Sequence, residues 1–528
     1  MEGKTQTRSM GAMESYFNMA TQMGAPSNHS KLLVILDLRV RFPPSIVNVE
    51  RYISRAWLAV GRQYPSLAAV AIPPDPAKPG DKSKVTVGEF DEESWSQTFF
   101  VRDECSNVDA LFSNYKPAST STCYWLPTPE QIIIASQHWL LDGTGLLTLG
   151  SRLMSVLARV VHLGLDVPLE EYFVEQPLNP PIGRNLEDII RKRLQDARDD
   201  TGALIPPVSP FLLRKGADYF VDEFAKGLPS IGLPVTPGAE TAAPSSCSRV
   251  AIRLDTSSSK RLADACRSIE TSVTSAVHAA IIRVAARYPQ HPMAKSYAIF
   301  APIDLRGTLG EAGVQEALTP MGVLLSGLPI CVDGVTDHHL RGERIPGKDF
   351  KTIVRELTVS YSRDLDKVWD PNDGSGRTIS FFQLTEVGIQ RLMELISTPP
   401  PPGFPLTTTP ELSSLGKVEN YFQHEYTYPG RPASSVEVVD FWVGVNLTNP
   451  ILQFHLWTWK DEITLSVTWN QTYYEKRFVY SFFDEMMEEL CVGLEVDDMV
   501  YEMIPSWAPL RNKKYKKGFG TCRSKSLL

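Results

Sequence analysis

Hydrophobic positions in the first half of the chain alternate between strand-like runs and helix-like spacing. Residues 32–42 (LLVILDLRVRF) form an apolar, β-branched run that stops at two prolines, which predicts a strand. Over residues 45–62 the apolar positions recur every three or four residues, which predicts a helix. Residues 123–126 and 131–138 predict a hairpin, and 146–163 predict an amphipathic helix. The pattern mixes helices with hairpin-connected strands.

The second half repeats this plan after a break. Residues 227–246 (GLPSIGLPVTPGAETAAPSS) lack periodicity and are rich in Pro, Gly, Ala and Ser, which is typical of a linker. A strand, two helices and another strand are then predicted at 249–254, 258–269, 273–287 and 296–302. In both halves a helix ends in Tyr-Pro and leads into a strand, which indicates two lobes of related plan.

The predicted organisation is therefore α+β, with two lobes on one chain. The predicted boundaries are a flexible arm at 1–30, an N-terminal lobe at 31–226, a linker at 227–247, a C-terminal lobe at 248–495 and a tail at 496–528.

Composition narrows the class of protein. The formal net charge of −8 disfavours a nucleic-acid partner, because phosphate binding needs a basic face, and the basic run at 511–517 is interpreted as a solvated tail. No run of eighteen apolar residues is present and residues 1–24 lack a signal-like apolar region, so we expect neither a membrane span nor secretion. The seven cysteines include no C-x-x-C pair, so we expect them to be reduced thiols. We expect a cytoplasmic monomer.

The segment 132–145 (IIIASQHWLLDGTG) is the strongest candidate for chemistry. A buried strand delivers His138 at its end, and Asp142 with two glycines then turns the chain into a helix. A lone histidine at a strand end is more often a packing residue, but histidine is also the natural general base near neutral pH. The complete pattern of strand, histidine, Asp-Gly and helix favours the catalytic reading.

HWLLDG is an H-x-x-x-D-G motif and resembles the signature of the superfamily of chloramphenicol acetyltransferase, plant BAHD acyltransferases and the condensation domains of peptide synthetases. Residues 440–444 (DFWVG) resemble the D-F-G-W-G segment of the plant enzymes, although Trp442 and Val443 replace Gly and Trp. The run 456–479 is similar to fungal acyltransferases of secondary metabolism, the trichothecene 15-O-acetyltransferases among them. The resemblance covers roughly residues 30–495.

The resemblance implies two chloramphenicol-acetyltransferase-like lobes with the active site in a tunnel between them. It implies that His138 is the general base and that Asp142 is a structural support paired with Arg306, in the segment 302–306 (PIDLR). Gly143 is expected to present its N–H near the oxyanion. Asp440 and Gly444 are expected to be structural, and Trp442 and Ser414 to contact substrate.

The implied reaction is acyl transfer from acetyl-CoA, or another acyl-CoA, to a small-molecule alcohol such as a sesquiterpenoid. Neither a metal nor a bound cofactor is implied. One alternative is a condensation-type enzyme with a carrier-protein-bound donor, although Gln137 stands where condensation domains place a second histidine. The other is a non-catalytic binding protein of the same fold.

Other motifs carry less weight. His338 and His339 lack further ligands at metal-binding spacing, so a solvated loop is expected there. The glycines at 307, 310 and 313 lack the remaining residues of a phosphate loop and predict a turn. No G-x-S-x-G elbow is present, which disfavours a serine hydrolase.

Overall fold

Two six-stranded sheets form the centre of the molecule. The computed structural model describes residues 5–23, 32–75, 77–78, 81–113, 118–176, 182–198, 202, 204–310, 321–340, 343–372, 378–497, 499–505 and 519–522. In the first sheet the order of strands is β14 (Glu425–Tyr428), β15 (Arg431–Val445), β2 (Leu33–Arg41), β7 (Gln131–Gln137), β6 (Thr122–Leu126) and β5 (Phe99–Val101). In the second sheet it is β13 (Glu411–Lys417), β16 (Gln453–Trp459), β17 (Glu462–Asn470), β8 (Cys247–Leu254), β18 (Met499–Pro505) and β19 (Phe519–Cys522).

Three smaller sheets accompany these two in the described part of the chain. They are a three-stranded sheet of β1 (Gln6–Ser9), β4 (Lys84–Val87) and β3 (Val70–Ile72), a pair of β9 (Tyr297–Asp304) with β10 (Leu325–Val332), and a pair of β11 (His338–Leu340) with β12 (Glu343–Ile345).

Helices cover the sheets. In the first half these are α1 (Ala12–Met23), α2 (Val49–Gln63), α3 (Glu92–Ser96), α4 (Val108–Ser113), α5 (Gly143–Leu163), α6 (Leu186–Asp196) and α7 (Pro210–Ala225). In the second half they are α8 (Thr256–Ser268), α9 (Val273–Ala285), α10 (Phe350–Tyr361), α11 (Phe381–Ser397) and α12 (Lys476–Leu494). The mixture of hairpins and covering helices is the predicted α+β class.

Strand β2 shows why the sequence pattern there is a continuous apolar run. Eight of its nine residues are buried, because helices cover one face of the first sheet and the second sheet approaches the other. The polar exceptions in this run face the second sheet. Asp37 Oδ2 accepts a hydrogen bond from Arg249 Nη2 of β8 at 3.1 Å, and Arg249 also lies over the Trp442 ring, 4.1 Å from its centroid. Charged and aromatic side chains therefore join the two sheets.

Helix α5 is the single described helix whose length and apolar composition would allow it to cross a membrane. Twelve of its residues are buried, and nine of these belong to the core that β2, β7 and α2 share. The helix is therefore the central helix of the first lobe.

The predicted boundaries need correction at four places. Residues 6–9 and 12–23, predicted as a flexible arm, form β1 and α1, because β1 pairs with β4 and Met10, Met13 and Phe17 enter a hydrophobic cluster. The predicted linker contributes the buried Ile231, Leu233 and Ala239 to the C-terminal core.

The predicted tail contributes β18, which pairs antiparallel with β8. The N-terminal lobe is also not confined to 31–226, because β15 adds to the edge of β2 with Phe441 opposite Leu38. The first lobe therefore contains chain from both halves, which local sequence patterns do not reveal.

Candidate functional site

The turn after β7 presents His138. The His138 N–H donates to Leu32 O at 3.0 Å, as the last bond of the pairing between β7 and β2. The N–H groups of Leu140 and Leu141 then both donate to Gln137 O, at 3.0 and 3.2 Å. This tight turn leaves the imidazole at the end of the sheet and brings the chain to the start of α5.

Asp142 fixes the end of this turn. It is the N-cap of α5, with Oδ1 accepting from Gly145 N at 2.7 Å. The same carboxylate receives two parallel hydrogen bonds from Arg306, Nη2 to Oδ1 at 2.9 Å and Nη1 to Oδ2 at 3.0 Å. Leu324 N donates to Oδ2 at 2.9 Å, and Asp142 is only 1% exposed. The structure forms the predicted pair, and the carboxylate is fully occupied by structural contacts.

Arg306 is held from the second half of the chain. It follows β9, and its guanidinium also donates to Asp304 Oδ1 at 2.9 Å and to Gly322 O at 2.7 Å. Burial alone would lower the pKa of Arg306, but the Asp142 and Asp304 carboxylates outweigh it and hold that pKa above its usual value. The guanidinium therefore stays charged and ties the His138 turn to the segment after β9.

The His138 ring lies under the aromatic ring of Phe17 from α1. The two rings stack with centroids 3.7 Å apart and an angle of 13° between their planes. The Nδ1 atom is enclosed and has no partner with hydrogen-bond geometry. Burial lowers the pKa of the imidazole below its usual value, against the opposing influence of the adjacent backbone and of Asp142. The ring is therefore neutral near pH 7.

A second buried histidine faces the same region. His455 lies on β16, 6% exposed, and its Nδ1 has no hydrogen-bond partner. Its neighbours Phe454 and Leu456 enter the C-terminal core, so His455 points to the opposite face of the second sheet. Burial, assisted by the nearby His138, lowers the pKa of His455 to about 4. It is an uncharged neighbour of His138.

The two glycines of the motif have different surroundings. A Cβ on Gly143 would lie 3.4 Å from Leu415 Cδ2, which is an ordinary contact. A Cβ on Gly145 would lie 1.9 Å from Met321 O, so only glycine allows the first turn of α5 to approach that backbone. Gly143 begins α5, and its predicted oxyanion contact stays a prediction; the steric requirement falls on Gly145.

Ser414 lies near the motif but its hydroxyl is engaged elsewhere. A bulge in β13 between Ser414 and Gly416 brings Leu415 against Gly143. The Ser414 Oγ lies 3.0 Å from Thr274 Oγ1 on α9, in an exposed position. Its predicted contact with the acyl group stays a prediction.

The segment 440–444 joins the two sheets. Asp440 Oδ1 accepts from Arg253 Nη2 at 2.8 Å, and Trp442 Nε1 donates to Ser466 Oγ at 2.7 Å. A Cβ on Gly444 would lie 2.4 Å from the Trp442 ring, so the glycine makes room for the indole. The predicted structural roles of Asp440 and Gly444 agree with these contacts but stay predictions. Trp442 is 4% exposed and packs in this interface, and its predicted substrate contact stays a prediction.

Sequence reasoning missed Phe17 and His455. Phe17 lies in a segment whose polar composition indicated a loose arm, and its position over His138 depends on packing between distant parts of the chain. His455 is a polar residue in the largely apolar and aromatic strand β16, and that pattern is the sequence signal that could have singled it out.

The described residues contain no group of three or more His, Cys, Asp and Glu side chains that could hold a metal ion. His338 and His339 lie on β11, opposite β12, in place of the predicted loop, and their side chains fall outside the described part. Of the predicted glycine turn, 307–310 is described and Gly313 lies outside the described residues.

Several curated relatives match most of the chain, and no family model matches it. The loline biosynthesis cluster 1 transcription factor lolU1 of Epichloe uncinata is 28% identical over 469 residues, which cover 86% of this chain and 89% of that protein. The O-acetyltransferase pigM of Monascus ruber is 26% identical over 504 residues, covering 94% and 87%.

Solved structures extend the comparison. Trichothecene 15-O-acetyltransferase from Fusarium sporotrichioides superimposes with a TM-score of 0.68 at 14% identity, covering 93% of this chain and 98% of that one. A starter condensation domain of rhizomide synthetase, solved with C8-CoA and Leu-SNAC, gives a TM-score of 0.57 at 12% identity, with 93% and 97% covered. The chain therefore has the two-lobed fold of this acetyltransferase and of the condensation domain.

Proposed function

We propose that this protein is an O-acyltransferase that moves an acyl group, most simply acetyl, from CoA to a hydroxyl of a secondary metabolite such as a sesquiterpenoid. The observation that carries the proposal is the state of His138: it is an imidazole that burial keeps neutral, its Nδ1 is enclosed, and it lies where both halves of the chain meet. The names of two similar proteins, an O-acetyltransferase and a trichothecene 15-O-acetyltransferase, support the same reaction class.

In the proposed reaction His138 Nε2 removes the proton of the acceptor hydroxyl as its oxygen attacks the thioester carbonyl carbon. The tetrahedral intermediate carries the negative charge on the former carbonyl oxygen. Its collapse breaks the C–S bond, and the imidazolium returns the proton to the departing thiolate. General base catalysis of this type contributes about 10²–10⁴ in rate. A neutral imidazole is required at the start, which agrees with the lowered pKa of His138.

Asp142 and Arg306 act on the position of His138 in this proposal. Each Asp142 oxygen already accepts two hydrogen bonds, so the carboxylate has no lone pair directed at substrate. The pair instead fixes the turn between His138 and α5 relative to the segment 321–324. A rigid support of this kind holds a base within reach of its substrate.

A carrier-bound donor is the second candidate, and the condensation-domain fold favours it. Such a donor would deliver the same thioester on a phosphopantetheine arm, and His138 would act in the same way.

The transcription-factor name of one relative suggests DNA binding as a further candidate function. The formal net charge of −8 disfavours it, since DNA binding needs a basic surface.

The test is thiol release from acetyl-CoA by the wild-type protein, His138→Ala and His291→Ala, each with a panel of terpenoid and polyketide alcohols. His291 is the matched control, since its Nδ1 accepts from Met293 N in a surface turn. We expect acceptor-dependent release by the wild type and His291→Ala and none by His138→Ala. Full activity of His138→Ala would refute the assignment of the base.

The rival functions are separated in parallel. Release only when the acyl group is supplied on a phosphopantetheinylated carrier protein would replace CoA as the donor. Sequence-specific retention of a DNA duplex, together with no acyl transfer from either donor, would overturn the proposed function.

A further inference from the structure

The N-terminal segment is anchored firmly around the motif. Two hydrogen bonds from Arg8 to the Glu14 carboxylate, at 2.6 and 2.7 Å, join β1 to the first turn of α1. The Arg8 Nε also donates to Gly183 O at 2.7 Å. Ala12 N donates to Glu187 Oε1 of α6 at 2.9 Å, which satisfies an N–H at the start of α1. These contacts set the position of the whole helix.

The apolar face of α1 packs against both halves of the chain. Met13 and Phe17 belong to one cluster with Trp139, the residue after His138. The same cluster contains Leu325 of β10 and Ile389 of α11. The helix therefore occupies the junction at which His138 lies.

Phe17 is the residue of α1 that reaches the imidazole. It is 8% exposed, and its ring covers one face of the His138 ring at 3.7 Å, nearly parallel to it. The lone pair of Nε2 lies in the plane of the imidazole, so a ring stacked on its face does not obstruct proton transfer. Stacking does oppose rotation of the imidazole about its Cβ–Cγ bond, and it removes water from that face.

We propose that Phe17 is a positioning residue for His138, fixing the plane of the imidazole so that Nε2 meets the acceptor hydroxyl in one direction. The inference rests on the proposed function. It goes beyond it in assigning a role to the N-terminal helix, which contributes no group to the H-x-x-x-D-G motif. The exclusion of water by Phe17 also contributes to the burial that lowers the pKa of His138.

Substitution of Met13 provides a control that distinguishes the positioning of His138 from general packing of α1. Met13 lies one turn before Phe17 on the same helix, is 6% exposed, and belongs to the same cluster, but its side chain has no ring that could stack on the imidazole. Met13→Ala removes a comparable apolar side chain and weakens docking of α1. Phe17→Leu keeps an apolar group over the imidazole but removes the flat surface.

The first experiment measures the chemical reactivity of His138 in the absence of acyl transfer. Wild-type protein and the Phe17→Ala, Phe17→Leu and Met13→Ala variants react with diethyl pyrocarbonate across pH 5–8, and mass spectrometry follows modification of the His138 peptide. We expect Phe17→Ala to react at least about tenfold faster at pH 7, with an apparent pKa moved up to about 6.5, the value of free histidine. Met13→Ala is expected to keep the wild-type pKa.

The second experiment uses thiol release under the same conditions. Phe17→Ala should lower kcat by up to about 100-fold, as misplacement of a catalytic group does, and move the acid limb of the pH profile upward. Phe17→Leu should lower kcat without moving that limb, and Met13→Ala should lower only the urea midpoint. Equal profiles for Phe17→Ala and Met13→Ala, or a rise in kcat for Phe17→Ala, would overturn the proposal.

The two readouts also separate this inference from the proposed function. If no alcohol supports thiol release but Phe17→Ala alone changes the reactivity of His138, the acyl transfer is refuted and the control of the imidazole by Phe17 stands. If thiol release occurs and Phe17→Ala changes neither readout, the inference is wrong and the proposed function stands.

Discussion

Asp142→Ala tests whether the hydrogen bonds of the Asp142 carboxylate hold the turn that carries His138. The substitution removes the two bonds from Arg306 and those from Leu324 N and Gly145 N. It leaves a guanidinium that is 9% exposed with Asp304 as its remaining carboxylate. Loss of one member of a buried ion pair costs about 3–5 kcal/mol, and loss of an N-cap about 1 kcal/mol. Because Asp304 retains part of the pairing, we expect a loss near 4 kcal/mol, at the lower end of the sum.

Urea unfolding followed by tryptophan fluorescence measures this loss. The matched control is Glu437→Ala, which breaks an ion pair with Arg41 whose side chains are 37% and 60% exposed. An exposed pair of this kind contributes about 0–1 kcal/mol. Thiol release by Asp142→Ala should also fall, because the unsupported turn no longer fixes His138.

A double substitution supplies the sharper criterion. Arg306→Leu in the Asp142→Ala background removes the guanidinium that has lost its Asp142 partner, so the double variant should be more stable than the sum of the two single losses predicts. A single loss within about 1 kcal/mol of the Glu437→Ala control would refute the reasoning. Strict additivity of the two substitutions would refute it as well, since it would mean that the partners act independently.

Three further predictions follow from the site. Activity should fall as pH drops through the pKa of His138, which lies below 6.5, because protonation removes the base; a kcat/KM profile from pH 5 to 8 checks this. Gly145→Ala should prevent a soluble folded product, because its Cβ would lie 1.9 Å from Met321 O, whereas Gly143→Ala should fold with a wild-type urea midpoint. Burial raises the pKa of Glu187 from 4.5 to about 7, assisted by neighbouring carboxylates. A raised carboxyl pKa stabilises the docked state at low pH and loses that contribution as pH rises through about 7. Hydrogen exchange of α1 should therefore speed up between pH 5 and 8 beyond its intrinsic pH dependence, and Glu187→Gln should remove the excess.

Local signals in the sequence were sufficient for the elements that carry the motif. The apolar run at 32–42 is β2, the segments at 123–126 and 131–138 are β6 and β7, and the helix predicted at 146–163 is α5. Each is long or bounded by turn residues, so its periodicity is clear without tertiary information. The pairing of Asp142 with Arg306 came from the resemblance, and no local pattern would have joined residues 164 positions apart.

The remaining features depend on long-range packing. The sequence of α1 resembles a polar arm because only one face is apolar. That face is buried because it packs in one cluster with Trp139, Leu325 and Ile389. Strand β15 lies in the C-terminal half of the sequence, yet it belongs to the N-terminal sheet because it pairs with β2. Neither placement follows from composition or periodicity, because both are set by which sheet edge or groove remains open after the other elements have packed.

The site needs the whole chain because its parts come from both halves. His138 and Asp142 come from the first half, but Arg306 and Leu324, which hold Asp142, come from the second. The ring over His138 comes from α1, whose own position depends on α6 and α11. Independent movement of either lobe would therefore break a buried ion pair, at a cost of about 3–5 kcal/mol, and would also separate Phe17 from the imidazole. Geometry at His138 is coupled to the docking of the two lobes, and the H-x-x-x-D-G sequence specifies only the part of that geometry that lies within one turn.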